Sequence, residues 1–247
     1  MEPMATFDAE NSSALFMENV SKRYGKIMAV DDFSLTIKDG ERVALLGENG
    51  AGKSTTLKII SGLMKPDTGK VKIFGYLPSS YEAKKIIGYL PEDASPYLNL
   101  SVMENLEYIG AIRETENLES KIEELLDILS LKEMAKQKPL SLSRGNRQKL
   151  CVALSIIHNP KFAIMDEPLN YLDIPTQEAM FQYFEKMNAT FLISTHILSI
   201  AKRLTERIVI ISSGRKVWDG PLKELEDMES DNKSIESIVS GMMKDVH

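Results

Sequence analysis

The stretch Gly47-Glu48-Asn49-Gly50-Ala51-Gly52-Lys53-Ser54 constrains this chain more than any other. It fits the pattern G-x-x-x-x-G-K-[ST], and it stands where that pattern has physical meaning. Before it runs Val43-Ala44-Leu45-Leu46, a short apolar run of the kind that forms a strand buried on both faces; after it the residues predict a helix from about Lys53 to Ser61. Glycines let such a loop curl until its backbone N–H groups and the helix N-terminus converge on phosphate oxygens, while Lys53 adds charge and Ser54 offers a ligand for Mg²⁺. A glycine turn that merely joins strand to helix is the competing reading.

The flanking pattern is α/β. Leu15 to Val20 and the alternation through Phe33, Leu35 and Ile37 read as strands, as do Val71 to Phe74, Phe162 to Met165, Thr190 to Ser194 and Ile208 to Ile211. Helices are expected at 176–187 and 197–204, so strand and helix alternate and the core sheet should be parallel. Between about 92 and 157 the pattern turns helical, with Leu118, Ile122, Leu125, Leu126 and Leu129 recurring at three and four, which predicts an inserted helical subdomain. The expected organisation is a flexible N-terminal extension over 1–13, an α/β domain over 14–220 containing that insertion, and a charged tail over 221–247 in which a peripheral helix could form.

Composition closes off several classes. With 43% hydrophobic and 27% charged residues in 247, the chain is neither disordered nor fibrous. Thirty Lys and Arg against 36 Asp and Glu give a net charge of −6, so no global positive field draws it to nucleic acid. The run Leu150 to Ile157 falls far short of the ~20 apolar residues of a spanning helix, and the first ten residues carry no signal-peptide pattern; a cytoplasmic chain is expected. Cys151 is the sole cysteine, which forbids an intramolecular disulfide and reads as a small buried thiol.

Two further motifs carry chemistry. Phe162-Ala163-Ile164-Met165-Asp166-Glu167 is an apolar strand that delivers two carboxylates at its C-terminal end, where ligands of open α/β sheets bind. Asp166 is assigned to a metal, through water, and Glu167 to a general base; an ordinary exit turn is the bland alternative. Leu142-Ser143-Arg144-Gly145-Asn146-Arg147-Gln148-Lys149 then places a plausible N-cap, Ser143, before a helix whose positive end would face an anion.

Taken together and in this order, Lys53, Ser143, Asp166 and His196 resemble the ATP-binding cassette, the nucleotide-binding subunit of ABC transporters, over about residues 15 to 220. The resemblance implies a P-loop NTPase core with a mainly parallel sheet, an antiparallel β subdomain and an inserted helical subdomain. It implies ATP and Mg²⁺ as cofactors, with the nucleotide held by Gly47, Glu48, Asn49, Gly50, Ala51, Gly52, Lys53, Ser54 and Thr55, and stacked on Tyr24. It also implies a composite site in which Ser143 and Gly145 of one subunit touch the γ-phosphate in the other, with Asp173 of Asn170-Tyr171-Leu172-Asp173 at the dimer interface and His196 orienting the attacking water.

Glu92, in Leu90-Pro91-Glu92, stands where many cassettes have glutamine; its carboxylate can still serve Mg²⁺ or water but adds negative charge beside Asp166 and Glu167. Arg144 stands for the commoner glycine and Asn146 for glutamine or methionine. The function implied is an ATP-hydrolysing motor that dimerises with itself or a related subunit. It would power transport, more in the manner of an exporter, through a separate transmembrane permease on the inner face of the membrane, docked near Ala94 to Asn105. A soluble, non-transport cassette ATPase is the alternative.

Overall fold

The computed structural model describes residues 12–229 and 234–244. Residues 1–11 of the expected N-terminal extension lie outside the described residues; of its remainder, Ser13 is already buried. The chain opens with two long antiparallel strands, β1 (Leu15–Tyr24) and β2 (Ile27–Ile37), followed by β3 (Arg42–Leu46), whose four apolar residues are all at most 1% exposed. Helix α1 (Lys53–Ile60) leaves the glycine loop; β4 (Thr68–Ile73), α2 (Tyr81–Ile86) and β5 (Ile87–Leu90) follow. Three helices, α3 (Val102–Ile112), α4 (Leu118–Ile128) and α5 (Arg144–Ile156), then separate β5 from β6 (Phe162–Asp166). The chain continues through α6 (Ile174–Lys186), β7 (Thr190–Thr195), α7 (Leu198–Leu204), β8 (Arg207–Ser212) and β9 (Arg215–Pro221). In the charge-rich stretch after 221 the described residues hold two helices, α8 (Leu222–Asp227) and α9 (Ile235–Lys244).

The strands form a three-stranded antiparallel sheet in the order β2-β1-β4 and a six-stranded sheet in the order β5-β6-β7-β3-β8-β9. The first five strands of the larger sheet run parallel and β9 closes its edge antiparallel to β8. Because side chains alternate along a strand, β3 sends Val43 and Leu45 to one face and Ala44 and Leu46 to the other. The first face packs against the small sheet and α1, through Met17, Phe33, Leu35 and Leu57. The second packs, around β3 and β8, against α7, α8 and α9, where Ile235 and Val239 are buried. Around β6 and β7 the same second face meets the inserted helices, with Ala163 and Met165 against Leu106, Leu125, Leu150 and Phe184.

Covered on both sides, a parallel sheet leaves the C-terminal ends of its strands as the place where loops can gather polar groups. Here β3, β5, β6 and β7 end on the same edge, followed respectively by the glycine loop, Glu92, Glu167 and His196. β7 lies between β3 and β6, with Leu46 in register with Thr195 and Asp166 with Ser194, so the loop and the carboxylates flank one strand end.

Candidate functional site: a phosphate-binding cleft

The loop at 47–54 is shaped by its backbone. Gly52 is the N-cap of α1 at φ +107, and a Cβ there would come within 2.3 Å of Ala29 O, so both conformation and space demand glycine. Gly214 N donates to Ala51 O at 2.9 Å and pins the loop to the β8–β9 turn. Lys53 is buried, and its Nζ donates back to Gly47 O at 2.8 Å and Glu48 O at 3.2 Å, holding the ammonium across the mouth of the loop.

Across the cleft, Asp166 and Glu167 are both buried. Asp166 Oδ1 accepts from Ser194 Oγ, while its Oδ2 is buried without a hydrogen-bond partner. Glu167 sits at φ +50, a left-handed conformation uncommon for a non-glycine residue and the kind of strain that gathers at functional sites. Its Oε1 accepts from His196 N at 3.0 Å and pairs with His196 Nδ1 at 2.7 Å, and its Oε2 accepts from Thr195 Oγ1 at 3.2 Å. With Nδ1–H assigned to Glu167, the ring's Nε2 is left for the cleft, into which His196 is half exposed.

These groups line one cavity of about 580 Å³. Of the residues singled out in the sequence, Asn49, Gly50, Gly52, Lys53, Ser54, Thr55, Glu92, Asp166, Glu167 and His196 line it. Gly47, Glu48 and Ala51 belong to the same loop without lining the cavity. Tyr24 does not line it either: its ring is half exposed and its hydroxyl meets Met64 Sδ at 2.9 Å. It stands directly across the β1–β2 hairpin from Ile27, which does line the cavity together with Met28 and Ala29. That wall, and Asn170, Tyr171 and Ser213, had no polar pattern in the sequence to mark them as lining residues.

Ser143, Gly145 and Asp173 do not line the cavity. Ser143 caps α5, its Oγ accepting from Asn146 N at 3.2 Å. Asp173 caps α6, accepting from Thr176 N at 2.9 Å, and Lys149 Nζ lies 3.2 Å from its other oxygen. The hydrogen bonds from Thr176, backbone first, and then Lys149 hold the Asp173 carboxyl down at about 2.

The donors suit a magnesium ion chelated by phosphate. Among the described residues no group of three or more His, Cys, Asp or Glu could hold a metal alone. Ser54, the unpartnered Oδ2 of Asp166 and Glu92 are hard oxygen donors facing the same cavity, and phosphate oxygens would complete such a set.

Fold and cleft together define a P-loop nucleotide-binding domain. The family model for the ABC transporter domain matches residues 30–170. The chain belongs to the ABC transporter family, as an ATP-binding and ATP-hydrolysing subunit. It is 34% identical over 225 residues to the uncharacterized ABC transporter ATP-binding protein YxlF of Bacillus subtilis, covering 88% of this chain and 74% of that protein. Among solved structures, the ATP binding subunit of an ABC transporter matches with a TM-score of 0.85 at 29% identity, covering 94% of this chain and 100% of the other. The ATP-binding cassette MJ0796, as a dimer in a post-hydrolysis state bound to ADP and Pi, matches with a TM-score of 0.76 at 30% identity, covering 84% of this chain and 98% of the other. Among the described residues no helix is long and apolar enough to cross a membrane.

Proposed function

We propose that two copies of this chain, or this chain and a related subunit, clamp MgATP between the loop at 47–54 of one and the lip at 143–145 of the other, and that hydrolysis releases the clamp to drive a transmembrane permease. The single observation that carries this reading is the pairing, in one cleft, of a curled phosphate loop with the Glu167–His196 dyad. In the ground state the loop N–H groups, Lys53 and the N-terminus of α1 cradle the phosphates, and Ser143 with Gly145 supplies the second copy's contact to the γ-phosphate. Tyr24, half exposed beside Ile27, offers its ring to adenine.

Ser54, Asp166 and Glu92 would hold Mg²⁺, which when bound neutralises charge on the phosphate oxygens. Glu167 takes the proton of a water whose oxygen bonds to the γ-phosphorus while the bond from that phosphorus to the bridging β–γ oxygen breaks, leaving ADP and phosphate. His196 fixes the Glu167 carboxylate through Nδ1 and presents Nε2 toward the phosphate. Loss of the γ-phosphate removes the contacts that distinguish closed from open, and the clamp relaxes.

A permease fits the groove beyond Glu92. Leu90, Pro91, Ala94, Pro96, Tyr97 and Ile109 line a cavity of about 250 Å³ there, and Tyr97, Leu98, Tyr108 and Ile112 are exposed apolar groups around it. Asn105 is the pin of this surface: fully buried, it donates to Tyr97 O, Leu100 O and Ser101 O and accepts from Tyr97 N, and so shapes the loop without touching a partner itself. Membrane association of the chain follows from that docking, and the exporter-like direction rests on the sequence resemblance.

Phosphate release by the purified chain with MgATP tests the reading. Glu167→Gln is expected to lower turnover ~10²–10⁴-fold, the usual worth of a general base, while sparing nucleotide affinity. Normal turnover in that variant would remove Glu167 from its assigned role.

A further inference from the structure

Arg144, the departure in the lip that the sequence left open between facing phosphate and facing solvent, has a partner in the structure. Its Cζ lies 3.5 Å from the centroid of the Tyr171 ring. The next residue, Gly145, is packed so closely on the same tyrosine that a Cβ would come within 2.7 Å of Tyr171 O. One turn further along α5, Gln148 Nε2 donates to Pro168 O at 3.2 Å, and the buried Lys149 pairs with Asp173 at 3.2 Å. The start of α5 is therefore fastened at four points to 168–173, the segment that leaves Glu167. Tyr171 is half exposed at φ +65, a conformation a bulky side chain keeps only where its surroundings hold it, and it lines the chain's own nucleotide cleft.

We propose that Arg144 and Tyr171 are a positioning pair that ties the lip facing a second copy's nucleotide to the wall of the chain's own cleft, so that closure over one nucleotide is felt at the Glu167 serving the other. The inference rests on the reading that 143–145 seals a partner's site. A guanidinium suits the task because its flat face lies along the ring, whereas an ammonium at the same place would be a point charge without the shape to fix the ring's orientation. The backbone contact at Gly145 gives the strut its stiffness: α5 cannot approach or tilt against Tyr171 O without moving the loop.

The test uses the full chain with Glu167 intact, measuring phosphate release against ATP concentration, and calorimetric ADP binding as a readout of the single cleft. Arg144→Ala and Tyr171→Ala are expected to lower kcat about tenfold, within the ordinary range of coupling between sites, and to bring the Hill coefficient down toward 1, and Arg144→Ala, at a residue that does not line the cleft, to leave ADP affinity unchanged. Tyr171→Phe, which keeps the ring face, should restore cooperativity that Tyr171→Leu does not. Arg144 is exposed, so Arg144→Ala keeps the test sound should the tyrosine variants unfold. A parent enzyme without cooperativity, or alanine variants that retain the parent's kcat and Hill coefficient, overturns the pair. ATP-driven dimerisation of the Glu167→Gln chain, followed by sedimentation, separates the two levels: its absence overturns the composite site itself, while its presence with unaffected alanine variants overturns only the strut.

Discussion

His158 shows how one residue's surroundings decide its charge. In the tautomer that satisfies its hydrogen bond, Nε2–H donates to Ile87 O at 3.0 Å, and Nδ1 is buried without a partner. A second proton would have to sit on that Nδ1. Burial first, and then the Arg113 guanidinium, push the imidazole down to about 4. A depressed folded value means that the unfolded chain takes up the proton first as pH falls below about 6.5. The stability tied to neutral His158 is therefore present above that pH and lost as pH falls through about 4. An NMR titration of the imidazole is expected to show a midpoint near 4; a midpoint near 6.5 would contradict the burial argument. At this scale the sequence was most legible where chemistry needs a rare combination, as in Lys53, Asp166 and Glu167. It was silent on Ile27, Met28 and Ala29, which wall the same cleft, because what the wall requires is a nearby hairpin rather than a residue type. It marked the segment 170–173 through Asp173 but gave no role to Tyr171, whose place depends on a left-handed turn and on Arg144 from another element.

Helix α9 is the element whose packing departs most from the look of its sequence. In a stretch read as charged, Ile235 is 2% exposed and Val239 6%, seated among Ala44, Leu46, Ile208 and Ile210 beneath the strand that feeds the phosphate loop. Glu236, Ser240 and Met243 of this helix join Glu48, Asn49 and His196 around a further cavity of about 390 Å³, and Asn49 and His196 also line the cleft, so the helix borders its rim. Ile235→Ala should cost about 2–4 kcal/mol of unfolding free energy, the range for truncating a buried aliphatic side chain. Urea melts measure it, and a loss well under 1 kcal/mol would show that α9 is not part of the folded core. The helix α3 carries a different device: Ser101 accepts from Glu104 N at 3.2 Å while Glu104 accepts from Ser101 N at 2.6 Å, a capping box that starts the helix just after the loop that Asn105 pins. Ser101→Ala is expected to cost about 1 kcal/mol in the same melts, and no change would contradict the cap. Elements with strong short-range signals, β3, β6, β7 and α1, were legible to within a residue or two. β5 and β9 were not: one is buried but has only four residues with a glycine among them, and the other is mostly half-exposed or exposed, so neither reads as an apolar run in the sequence. Their strand character comes from the neighbours they pair with.

At the scale of the molecule, the chain's own lip at 143–145 does not line its phosphate-binding cavity. On the proposed reading half of each site comes from the other copy, and it was the family resemblance, not the spacing of motifs within one chain, that suggested it. A chain with Asn49→Cys and Ser143→Cys in the Glu167→Gln background tests this directly. The native Cys151 is 5% exposed, and burial pushes its thiol up to about 11, which disfavours the thiolate that reacts with a maleimide; the Glu167→Gln chain without the added cysteines serves as the control. Treated with a short bis-maleimide, this protein should give a covalent dimer in MgATP and remain monomeric in ADP or without nucleotide. Crosslinking that is absent with MgATP, or equal in all three conditions, would contradict the composite nucleotide site.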